Sequence, residues 1–138
     1  TLVNTVYDLQ AEPVATDYLA AATELTLRQS RRSLVLLVTN VRDEDVADLL
    51  AAVTLLQRRH LVCVASLREV ALDQGLERPV QTLDQAIGIG ALAQYLDARD
   101  AAHKALRSRG VTVLDVTCAQ LPAALVETYL SVKRAGRL

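Results

Sequence analysis

Phenylalanine, tryptophan and methionine are missing from all 138 residues, and four tyrosines are the whole aromatic complement. A packed core must therefore be aliphatic, and a stacking platform for nucleic-acid bases has nothing to be built from. An excess of one charge is missing too: 15 Lys and Arg stand against 16 Asp and Glu, a formal net charge of -1. No net field draws a polyanion or an acidic membrane surface, so neither nucleic acid nor membrane binding is expected. The two cysteines, Cys63 and Cys118, are too few for a disulfide scaffold and lack C-x-x-C spacing. Cys63 falls in an apolar run and reads as a small buried hydrophobe. No apolar run approaches bilayer-spanning length and no secretory signal is visible, so the expectation is a soluble, cytoplasmic segment. Thr1 in place of an initiating Met points to trimming or processing.

Catalytic signatures are equally thin. There is no Gly-x-Ser-x-Gly elbow and no His-Glu-x-x-His helix. Gly88-x-Gly90 follows Gln85-Ala86-Ile87 rather than a strand and lacks a third glycine, so it is a helix kink or a close-packing point, not a phosphate loop. His60 and Cys63, three apart on a strand, point to opposite faces and do not share a metal. His103 has no Cys or His at ligand spacing and reads as a surface or partly buried structural residue. The expectation is a protein that is not an enzyme.

What is present is a repeated plan. Leu, Ala and Val make up most of the 51% hydrophobic content, and 22% of residues are charged, the balance of one packed domain over 1–138. Leu2, Val3, Val6 and Leu9 share helical spacing over 1–10, and 11–15, with Pro13, reads as a linker. Thr16 or Asp17 caps a helix to Gln29. Arg31-Arg32 then leads into an apolar strand, Leu34 to Val38. The unit recurs: a helix from Asp43 to Arg59 before the strand His60 to Ala65, then a helix from Leu83 to Arg109 before the strand Val111 to Val116. A final helix runs from Ala119 to Lys133. Strands apolar on nearly every residue, alternating with helices, predict an α/β fold with a mostly parallel sheet of about three strands buried on both faces.

In such sheets ligands gather at the carboxyl ends of the strands, here Thr39-Asn40, Ser66 and Asp115-Val116-Thr117. The acidic run after Asn40 admits two readings. Its carboxylates hold a hard divalent cation, or Asp43 to Asp45 cap the next helix and complement its dipole.

Three stretches taken in order resemble the family called domain of unknown function 58, whose members carry a von Willebrand factor A-like domain. They are Val6 to Leu9 with Thr16 to Ala22, Arg31 to Asn40 with Arg59 to Val62, and Tyr129 to Leu138; the match covers essentially the whole chain. The resemblance implies a Rossmann-like, three-layer α/β/α fold of which this chain supplies the C-terminal half, the fourth to sixth strands. It also implies a metal-ion-dependent adhesion site, whose Asp-x-Ser-x-Ser element is not in this chain. Its Thr would correspond to Thr16, or its neighbour Asp17, and its Asp to Asn40. The amide at Asn40 removes a charge, so the site is degenerate, with Mg²⁺ possible only if an N-terminal half completes it. Relatives of this kind accompany MoxR-type AAA+ ATPases and carry membrane anchors ahead of the domain. The implied role is a non-enzymatic protein-protein interaction module using Thr16, Asp17, Asn40, Arg42, Asp43 and Asp45. The alternative is a nucleotide- or phosphate-binding enzyme domain whose glycine-rich half lies outside this chain. With the first strand absent, the Leu34 to Val38 edge is expected to drive self-association.

Overall fold

The computed structural model describes residues 16–77 and 79–138; the helix expected over 1–10 and the linker at 11–15 lie outside them. Three parallel strands, β1 (Leu34–Thr39), β2 (Leu61–Leu67) and β3 (Thr112–Val116), lie side by side in that order. Parallel neighbours need crossover connections. These are α2 (Val46–Leu56) between β1 and β2, and α3 (Val70–Glu77) with α4 (Leu83–Ser108) between β2 and β3. The helix α1 (Tyr18–Arg28) precedes the sheet and α5 (Leu121–Arg134) follows it. No helix among the described residues is long and apolar enough to cross a membrane.

Strand pairing decides which side chains share a face. Val35 and Leu37 stand beside Val62 and Val64, and Val64 beside Val113. These five join Tyr18, Ala22, Leu49, Val53, Leu56 and Leu106 from α1, α2 and α4 in one aliphatic core. The other face carries Leu36, Cys63 and Thr112 in register, with α5 packed beside β3. The result is three layers, helix on sheet on helix. Two-sided burial, expected of every strand, holds only for β2, whose residues 62–66 are all buried. On β1, Leu36 and Val38 are 37% and 48% exposed, because the cover supplied by α5 thins out toward that edge.

Local chemistry sets the helix ends, in places differently from expectation. Asp17 is the N-cap of α1, its Oδ1 accepting the Ala20 N–H at 2.9 Å. Asp43–Asp45 form a 3-10 turn rather than the first turn of an α-helix, and Asp45 stands at the N-cap of α2 but its side chain makes no capping hydrogen bond. Its carboxylate is taken instead by Arg42, whose Nε donates to Oδ2 at 3.0 Å. The three acids still lie where the helix dipole favours negative charge. The helix α3 had no counterpart in the sequence reading. Neither a kink nor close packing occurs at Gly88 and Gly90: α4 runs unbroken, and an added Cβ at either glycine meets nothing within 4 Å. A capping box at its start, in which Thr82 accepts from the Gln85 N–H and Gln85 accepts from the Thr82 N–H, helps offset those glycines. Gly110, at φ 79°, supplies the left-handed residue that ends α4.

Leu106 is 0% exposed at the centre of the core, whereas Leu27 on α1 is 82% exposed. Leu106→Ala is expected to lose about 2–5 kcal/mol in urea unfolding, and Leu27→Ala less than about 0.5 kcal/mol. Equal losses would mean that α4 is not part of the core.

Candidate functional site at the carboxyl ends of the strands

A cleft of about 650 Å³ lies across the carboxyl ends of all three strands. Thr39 and Asn40 come from the end of β1, Leu67, Arg68 and Glu69 from β2, and Thr117 and Cys118 from β3; Thr16 and Tyr18 reach it from the start of α1. The fold thus brings Thr16 and Asn40, separated in sequence by a whole helix and strand, to one surface. Tyr18 fixes the arrangement. Its hydroxyl shares a hydrogen bond with Thr39 Oγ1, and its backbone N–H donates to Asp48 Oδ2 at 2.8 Å, tying α1 to β1 and α2 together. Val38, Leu67 and Val70 give the cleft an apolar wall beside its hydroxyl and amide groups.

The remaining expected contact residues flank the cleft without lining it. Arg42 reaches both Glu44 and Asp45, each at 3.0 Å. The hydrogen bond and charge of Asp45, then the charge of Glu44, raise the Arg42 pKa above its ordinary value. Asp43 stands at the head of the same turn. Among the described residues no three His, Cys, Asp or Glu side chains come together as a metal site. Thr16 and Asn40 offer only neutral oxygens, and two of the nearby carboxylates are held by Arg42. A hard divalent cation is bound largely through carboxylate charge, and Thr16 and Asn40 supply none.

Beneath the cleft is a buried polar cluster that the sequence reading did not assemble. Arg99, 4% exposed, donates to Ser66 O at 3.0 Å, Leu67 O at 3.3 Å and Asp115 Oδ1 at 2.7 Å. Asp115 Oδ1 also accepts from Arg68 Nη1 at 3.1 Å. One turn along α4, His103 Nε2 lies 2.8 Å from Ser66 Oγ. A signal was available: Arg99, Ala102, His103 and Leu106 share one helical stripe, and all four are buried. Two long polar side chains on a core-facing stripe call for partners at the end of the neighbouring strand. The Ser66–His103 spacing is that of a nucleophile and its base, but Ser66 is 0% exposed, so the pair serves to join α4 to β2. Cys63 is no better placed for chemistry: burial pushes its thiol pKa up to about 11, which keeps it protonated and unreactive.

No protein-family model, curated protein or solved structure matches this chain. What defines it is its own geometry, a parallel three-layer α/β domain with an open, half-apolar cleft over the strand ends.

Burial lowers the His103 pKa below the ordinary 6.5, and the charge of Arg99 lowers it further; Asp115 and Asp100 pull it up by less, and Arg107 pushes it down. The unfolded chain therefore takes up the proton first. His103 thus contributes stability that is fully present above about pH 6.5 and is gone once pH has fallen through the lower folded value. Urea midpoints of the native protein are expected to fall more steeply between about pH 7 and pH 5 than those of His103→Gln. Parallel curves would remove His103 from the acid sensitivity.

Proposed function

We propose that this chain is a protein-protein interaction module without chemistry of its own, related to the later half of a von Willebrand factor A-like domain. Its contact surface is the cleft with its flank, namely Thr16, Asp17, Asn40, Arg42, Asp43 and Asp45. The observation that carries the reading is the meeting of Thr16 and Asn40 in one open cleft over all three strand ends, where α/β sheets place their ligands. A partner carboxylate accepts from the Thr16 hydroxyl and the Asn40 amide, as direct hydrogen bonds in place of a bridging metal. An aliphatic side chain next to it packs on Val38, Leu67 and Val70. Arg42 offers donor groups beyond those held by Glu44 and Asp45. The family resemblance makes a MoxR-type AAA+ ATPase the partner to try first, and has the chain pair with a second copy along the open flank of β1.

The test is surface binding of a purified MoxR-type ATPase from the same organism to the immobilised chain. Thr16→Ala with Asn40→Ala is expected to weaken capture by about tenfold, or about 1.4 kcal/mol, with the melting temperature unchanged. Undiminished capture by the double variant would move the contact away from the cleft, and failure of the native chain to bind would remove this class of partner.

A further inference from the structure

The net charge of -1 conceals a divided molecule. Parallel strands all begin at the same end of the sheet, and here each is entered through two arginines: Arg31 and Arg32 before β1, Arg58 and Arg59 before β2, Arg107 and Arg109 before β3. All six are exposed. Among the described residues none of them pairs with a carboxylate. Four helices also finish at this end, each presenting roughly half a negative charge, so about two negative charges stand against six positive ones.

A cavity of about 190 Å³ opens at this end, on the α5 side of the sheet, and Arg32 is the one of the six that lines it among the described residues. Arg32 and Arg137 line it, linked to each other by Arg32 Nε donating to Arg137 O at 3.1 Å. Thr112 and Thr128 add hydroxyls, and no carboxylate lines it among the described residues. His60 also lines it and is 3% exposed. The Ser33 N–H donates to His60 Nδ1 at 3.1 Å, so in the neutral ring the proton sits on Nε2. Nε2 is buried and has no acceptor among the described residues. Its burial puts it out of reach of a ligand in the cavity, so the groups that face an anion there are the two guanidinium forks and the two hydroxyls.

We propose that the cavity at the amino ends of the strands is a binding site for a phosphoryl group, free or carried by a small monoester. Arg32 and Arg137 hold its oxygens through their guanidinium forks, Thr112 and Thr128 offer hydroxyl donors, and the other arginines at this end raise the local concentration of the anion. The site lies at the opposite end of the strands from the partner cleft and does not depend on it.

Calorimetric titration of the whole chain at low ionic strength tests this, with inorganic phosphate in one arm and glycerol 3-phosphate in the other. Binding in either arm is expected, the tighter arm assigning the source of the phosphoryl group, and Arg32→Gln with Arg137→Gln should weaken it by about tenfold or more. Arg28→Gln with Lys104→Gln removes the same charge from exposed positions outside the cavity and should change affinity by less than about twofold. All four residues are exposed, so the folds should survive, as thermal melts will check. Absence of binding by the native chain up to about 10 mM, or equal losses in the two double variants, would overturn the proposal.

Discussion

The buried guanidinium of Arg99 holds the carboxyl end of the sheet together. At a strand's last residues the ladder is running out, and carbonyls there need a donor from elsewhere. Arg99 supplies it to both Ser66 and Leu67, and anchors the same end of β3 through Asp115. A charge so deeply buried is tolerable only when its donors are satisfied, and three acceptors on two strands satisfy it at once. Because Arg99 sits in the middle of α4, the bridge also fixes the long helix against the sheet. The ladder then extends one step beyond β2, where the Arg68 N–H donates to Val116 O at 2.9 Å. The cleft thus rests on a floor assembled from α4, β2 and β3.

The parallel arrangement gives the molecule two unlike ends. Chain enters every strand through basic residues that close the preceding element, and leaves β1 into the acidic turn of Asp43, Glu44 and Asp45. Positive charge therefore collects where strands begin. Hydroxyls, an amide and carboxylates collect where they finish. A nearly neutral total is compatible with two charged surfaces when topology, rather than composition, decides where each residue falls. A near-neutral total speaks only of the molecule as a whole and does not show that six exposed arginines gather where the strands begin.

The strands were legible because β-branched and leucine runs bounded by charge have few alternatives, and β1, β2 and β3 fall within two residues of their expected limits. The helix spacing of α1, α2, α4 and α5 was equally plain. Boundaries shift where side chains compete for the same group: Asp45 occupies the N-cap of α2, but Arg42 holds its carboxylate away from the helix N–H groups. The short helix α3 was overlooked because eight residues give too few turns for a period to stand out. At the site, Asn40 is marked in the sequence by its place at the carboxyl end of a strand, whereas nothing local to Thr16 marks it as lining the same cleft. The Arg99–Asp115–Ser66–His103 cluster is likewise unmarked as a whole, since its members come from three elements and only the stripe on α4 marks two of them.

With Arg99 bridging β2 and β3, the cleft is a preformed surface whose floor is as firmly held as the sheet itself. Amide hydrogen exchange of the native chain tests it most directly. If the Arg99 bridge acts as described, the amides of Ser66, Leu67, Arg68 and Val116 exchange only with global unfolding, at the rate of Val64 in the centre of β2. Exchange at those four positions many times faster than at Val64, with the strand centre still protected, would show an end that opens on its own, with no firm floor beneath the cleft.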